Sequence, residues 1–217
     1  MSNSIKSGTT GNIMEVTSEK SALVSLQQRG NAFSLSSITG TIAAALGANS
    51  SIFAMRFDPG AGNKKAYIER IRITFTCIVA FTVPLTAGRR LAIYRGSGAA
   101  ASGGTALATV AKKHSISADS EIEAAQGGDA RIATTGALTI TGITFETNDF
   151  ATMSLVHVGN AGNFLEEIFE FSAAESAPIV LEPGQVMAIR NPAAMDAAGT
   201  WQASVRIDWY EEDSVLL

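Results

Sequence analysis

The chain has 217 residues, 46% of them hydrophobic and only 17% charged, with a formal net charge of -4. That length suits one large β domain, or one domain with an extended arm, and buries a core without staples. The thin, scattered charge gives neither the footprint of a nucleic-acid binder nor a polybasic membrane patch, and the single cysteine, Cys77, excludes an intramolecular disulfide and a cysteine-built metal cluster.

Residues 1–11 are small and polar and read as a tail or arm that orders only on a partner. They lack a basic stretch followed by an apolar run, so they do not read as a signal peptide. Nowhere does an apolar run approach the about 20 residues of a transmembrane helix. The expectation is synthesis and folding in a reducing cytoplasm. From 12 to 47 the pattern is weak. Val24 and Leu26 suit a short strand, as do Phe33 and Leu35, and "TIAAALG" at 41–47 suits one or two helical turns ended by Gly47. Residues 1–50 are therefore expected to form an N-terminal arm or extension, and residues 51–217 a β domain.

In the domain the alternation strengthens. Phe53, Met55 and Phe57 share one face of a strand, and a turn cluster follows at 58–63. Residues 67–83 form the longest strand-like run, with Tyr67, Glu69, Ile71, Ile73, Phe75, Cys77, Val79, Phe81 and Val83 at odd positions. A run this long is expected to bend or bulge, and to join two sheets. Leu91 and Ile93 mark the next strand. "GSGAAASGG" at 96–104 reads as a flexible loop, and 105–117 as an edge strand guarded by Lys112 and Lys113. A polar loop is expected at 119–128. Arg131, Leu138, Ile140, Ile143 and Phe145 fall in strand-like pieces broken by glycines, and 152–158 reads as a strand. "FLEEIFEF" at 164–171 alternates imperfectly, so a strand competes with a short helix there.

The chain closes on two alternating segments around a Gly- and Ala-rich loop, read as a hairpin. Glu182-Pro183-Gly184 fits a type II turn before the first. In the second, Trp201, Ala203, Val205, Ile207 and Trp209 lie on one side of a period-2 ladder. The total is about eight to ten strands at the spacing of a β-sandwich or jelly roll.

Chemistry is sparse. His114 and His157 sit in separate segments without metal-ligand spacing, so no metal is expected. Cys77, in an apolar run, reads as a small buried hydrophobe. The 96–104 loop lacks the Lys-Ser/Thr ending of a phosphate loop. Glu166, Glu167 and Glu170 beside Phe164 and Phe169 would serve glycoside hydrolysis only in a cleft with partners, and otherwise form a solvated strand face. Trp201, Trp209 and Tyr210 could stack on a sugar, but the inward reading of the tryptophans favours core packing. No residue is assigned as catalytic, and no cofactor is expected.

Three stretches, "LTAGRRLAIYRGSGAAASGGTAL", "RIATTGALTITGITFE" and "LEPGQVMAIRNPAAMDAAGTWQASVRIDWYE", resemble small β-rich structural proteins of tailed bacteriophages, most of all capsid decoration (cement) proteins. The resemblance runs from Ile52 onward and lies in texture and phrase rather than in a diagnostic motif. It implies a β-sandwich or jelly-roll body, a homotrimer on the capsid surface of the virion, the major capsid protein as partner, and an arm reaching over neighbours. Two alternatives are a tail or fibre component that recognises a host surface glycan, and a sugar- or nucleotide-active enzyme on the same scaffold.

Overall fold

A computed structural model of the chain describes residues 3–6, 13–16, 31–43, 45–60, 62–82, 89–115, 117–155, 159–171, 177–195 and 198–213. It divides into two compact units, Met1–Gly30 and Asn31–Leu217. In the first, β1 (Asn3–Lys6) pairs antiparallel with β2 (Ile13–Val16), Asn3 opposite Val16 and Lys6 opposite Ile13.

The second unit is a β-sandwich. Its strands in chain order are β3 (Ala32–Ile38), β4 (Ile42–Ala43), β5 (Ser50–Phe57), β6 (Lys64–Val79), β7 (Arg90–Gly98), β8 (Thr105–Ala106), β9 (Ala111–Lys112), β10 (Asp129–Ile132), β11 (Ile143–Phe145), β12 (Ala151–Ser154), β13 (Phe164–Glu170), β14 (Ile179–Leu181), β15 (Gln185–Asn191) and β16 (Thr200–Asp213). Sheet I has the order β11-β7-β15-β5-β10-β8, with β12 also on β7. Sheet II has the order β13-β6-β16-β3-β9, with β14 also on β6 and β4 on β16. Take β3, β5, β6, β7, β12, β13, β15 and β16 as first to eighth. Sheet II then runs first-eighth-third-sixth and sheet I second-seventh-fourth-fifth, which is jelly-roll connectivity. The strand count exceeds the expected eight to ten because short pieces, several only two or three residues long, flank these eight.

Pleating explains the core. Met55, Met187, Ile93 and Ile189 point inward from sheet I, and Phe33, Ile73, Phe75, Trp201, Val205, Ile207 and Trp209 meet them from sheet II, all nearly or fully buried. The alternation read in β16 holds along its whole length. Trp201 stacks on Phe75 with centroids 5.1 Å apart, and Trp209 on Phe33 at 5.7 Å. The turn before β15 forms as its residues demand: Gln185 N–H donates to the Glu182 carbonyl at 2.9 Å, and Gly184 takes φ 79.

Several expectations need correction. Residues 41–43 and 45–47 are not helical. Ile42–Ala43 pair with β16, Ala45 has φ 68, and Ile42 and Leu46 are buried in the core. The strand expected at Phe33 and Leu35 forms, but as an integral member of the sandwich rather than an extension added to it: β3 is a full partner of β16, and Phe33 and Leu35 fill the interior. Residues 105–117 do not form one edge strand. They cross between sheets, touching β10 through β8 and β3 through β9. The closing segments are not a hairpin, because β15 lies in sheet I and β16 in sheet II. The stretch 164–170 is a strand, as its alternation indicated over the rival short helix.

The long strand β6 bulges but stays in one sheet. Against β16, Asp208 faces Arg70 while Trp209 faces Ile68, which leaves Glu69 as an extra residue; Ile78 is extra in the same way near Trp201. The inward phase therefore changes at Glu69. Ile71, Ile73, Phe75 and Cys77 are buried as expected, but before the bulge the buried residues are Ala66 and Ile68 rather than Tyr67 and Glu69. Val24, Leu26, Val83 and His157 lie outside the described residues.

Candidate functional site

The two sheets differ on their outer faces. On sheet I the outward row Ala54, Ala188 and Tyr94 is buried, as is Ala92. The covering layer comes from the chain itself. The glycine-rich stretch after β7, expected to be flexible, lies packed on this face. Ala99 N–H donates to Gly142 C=O at 3.0 Å, and Ser102 N–H to Thr139 C=O at 2.8 Å. Gly98 explains the glycine: at φ 126, an added Cβ would sit 2.1 Å from the Gly142 carbonyl oxygen. Leu138 and Ala101 are buried against the same face. Here Arg190 is held with its guanidinium 4.0 Å from the Phe145 ring centroid and 5.2 Å from that of Tyr94, while Nη2 donates to the Asn49 carbonyl at 2.7 Å. Burial lowers its pKa.

Sheet II has no such cover among the described residues. Its outward rows run across β13, β6, β16 and β3: Glu166, Thr74, Ser204 and Ile38 in one, then Ile168, Arg72, Arg206 and Ser36 in the next. Phe164 joins Thr76 and Gln202 at one end. The face mixes short neutral side chains with the charged Glu166, Arg72 and Arg206, and three large apolar ones stand out of it: Phe164 is 70% exposed, Ile38 57% and Ile168 44%. Isolated exposed apolar residues are ordinary; Phe164 and Ile168 stand together on β13, and Ile38 lies on β3, beyond β6 and β16.

Beyond Arg72 and Arg206 the face sinks into an open cleft of about 310 Å³, lined by Glu69, Arg70, Lys113, Glu170 and Asp208. The bulge at Glu69 shapes it. Asp208 is the buried centre: Arg70 Nε and Nη2 reach its Oδ2 at 2.9 and 2.7 Å, and Lys113 Nζ lies 3.1 Å from Oδ1. Burial alone would raise this carboxyl, but hydrogen bonds from Arg70, Lys113 and Ser34 outweigh it and hold the group at about 2. Arg70 and Lys113 thus both engage Asp208, so the cleft is a structural ion network. Lys112, expected to guard an edge, pairs with Asp119 at 2.6 Å.

On the inner side of the same strand, Glu211 is buried with neutral donors. Ser120 Oγ donates to it at 2.5 Å, Trp209 Nε1 at 3.0 Å and the Glu121 N–H at 3.1 Å. Burial pushes this carboxyl up, against those bonds. The contact ties the loop before β10 to the end of β16, so this loop is anchored by buried Ser120 and Ile122.

Among the described residues, those singled out in the sequence do not converge. His114 is exposed. Cys77 is buried, with its Sγ 3.3 Å from the Val79 carbonyl and 3.5 Å from that of Gly159, and burial raises its thiol pKa. Trp201 and Trp209 are core, and Tyr210 lies stacked on Tyr67 at 4.8 Å with 6° between the rings. Glu166 and Glu170 face outward on β13, with Glu167 on its inner side. Among the described residues no three His, Cys, Asp or Glu side chains could hold a metal ion. Sequence reading passed over Ile38, Phe164 and Ile168 as a group. Their common face appears only once β13, β6, β16 and β3 are laid side by side.

No protein-family model matches the sequence, and no curated protein matches it as a relative.

Proposed function

We propose that this chain is a non-enzymatic structural protein of a tailed-bacteriophage particle, a decoration protein that binds and stabilises the assembled capsid. One observation supports the reading. The outer face of sheet I is closed by the chain's own segments, whereas among the described residues that of sheet II is uncovered and carries the exposed Phe164, Ile168 and Ile38. Such a face suits a protein that is complete only against other proteins. The partners are the major capsid protein and further copies of the chain, assembled as a trimer. A subunit that binds only the assembled shell stabilises that state by mass action, and a trimer multiplies weak contacts into avidity.

The test is the copy number of the chain per purified particle, measured by quantitative mass spectrometry against the major shell protein. A number comparable to that of the shell protein is expected. A handful per particle would move the chain to the tail or its fibres, where binding to host surface glycan is the next measurement. Absence from the particle would end the virion reading.

A further inference from the structure

Among the described residues sheet II ends at β13, and the hydrogen-bond phase shows which backbone groups face outward there. Phe171 N–H donates to the Glu69 carbonyl at 2.7 Å, and Cys77 N–H donates to the Asn163 carbonyl at 2.9 Å. Odd-numbered residues of β13 therefore turn their backbone groups toward β6. The N–H and C=O groups of Phe164, Glu166 and Ile168 point the other way, and no described strand pairs with that edge. On the inner side of the strand, Leu165 and Phe169 pack half-buried on the core, with Glu167 between them opposite the buried Ile73.

An inward-pointing charge on an edge strand works against pairing with another copy of itself. Antiparallel pairing centred on Glu167 would set two copies of this carboxylate side by side. The same geometry suits a strand of opposite character. We propose that β13 accepts, by strand addition, an extended segment of a different protein that carries Lys or Arg opposite Glu167 and apolar residues opposite Leu165 and Phe169. The backbone groups of Phe164, Glu166 and Ile168 supply the ladder, and the alternate side chains supply selectivity. The long stem of the basic residue lies between the apolar flanks while its charged end meets Glu167. The added strand also extends the cover over Leu165 and Phe169 at the open end of the core. This inference goes beyond the virion reading and does not rest on it.

The experiment uses the full chain and a fluorescein-labelled seven-residue peptide of alternating threonine and valine with a central lysine. A second peptide has glutamate at the centre. Anisotropy titration is expected to show the lysine peptide binding at least tenfold more tightly. Glu167→Lys is expected to reverse the preference, and Glu167→Gln to abolish it; the fluorescence of buried Trp201 and Trp209 reports that each variant is folded. Hydrogen exchange should slow at the amides of Phe164, Glu166 and Ile168 on addition of the lysine peptide. Equal binding of the two peptides, no binding of either, or a preference unchanged in Glu167→Lys would overturn the proposal. So would a chain that sediments as a dimer with those amides already protected, because a second copy would then fill the edge.

Discussion

Asp208 and Glu211 stand three positions apart on β16, both buried, and their pKa values move in opposite directions. Neighbours make the difference. Asp208 has guanidinium and ammonium groups in contact, whereas Glu211 has a hydroxyl, an indole N–H and a backbone amide, which are too weak to offset burial. The sign of each contribution to stability follows. The folded-state pKa of Asp208 is depressed from 3.8 to about 2, so its stabilisation is present above 3.8 and is lost as pH falls toward 2. Glu211 is raised above 4.5, so its contribution is full below 4.5 and is lost as pH rises through the folded value. Urea unfolding across pH should therefore separate the two variants. Asp208→Asn should lose about 2 kcal/mol at neutral pH, less than a fully buried pair because Arg70 and Lys113 are partly solvated. Its deficit should shrink between pH 3.8 and 2. Glu211→Gln should show the reverse trend, gaining relative to the parent as pH rises above 4.5. Parallel curves for both variants would contradict the assignment.

At the scale of the element, β16 is the spine of sheet II, flanked by β6 and β3. Its two tryptophans occupy equivalent inward positions but differ in one bond. Trp209 Nε1 donates to Glu211 at 3.0 Å, while Trp201 Nε1 is buried without a hydrogen-bond partner among the described residues. An unpaired buried donor costs free energy, and losing a paired one strands its acceptor. Trp209→Phe should therefore destabilise by about 1–2 kcal/mol more than Trp201→Phe, measured by denaturant midpoint at a common slope. Equal losses would mean that the Glu211 contact contributes nothing. Truncation to alanine at either position should cost about 4 kcal/mol, since both rings are core. The alternation of β16 was legible in the sequence because its inward residues keep one phase throughout. The phase change in β6 was not legible: Tyr67 and Glu69 continue the period-2 pattern, and only the two-versus-one pairing with β16 shows that Glu69 is the extra residue.

For the whole molecule, the boundary of the sandwich decides what can be removed. The second unit starts at Asn31, and β3 supplies the buried Phe33 and Leu35 beside Trp209 and Ile207. Deleting residues 1–30 should leave a cooperative unfolding transition close to that of the full chain. Deleting residues 1–47 removes Phe33, Leu35, Ile42 and Leu46 together, and should abolish it. Circular dichroism melts of the two truncations distinguish the cases; a folded 48–217 fragment would refute the role given to β3. On the virion reading, the shorter deletion is also the one to test for weakened shell binding, because any loss could not then be ascribed to a broken core.

The all-β class, the inward ladder of β16 and the turn at Glu182–Gln185 were determined by the sequence alone. Each depends on residues close together in the chain: alternation sets which side chains share a face, and Pro followed by Gly sets the turn dihedrals. Which strands lie side by side was decided only in the tertiary structure. Jelly-roll connectivity pairs the first strand of the sandwich with the last, and long-range pairing leaves no local signature. That pairing drew residues 31–50, expected to be an arm or extension, into the sandwich and separated β15 from β16. It also sealed the outer face of sheet I with glycine-rich chain and, among the described residues, left the face with Ile38, Phe164 and Ile168 uncovered.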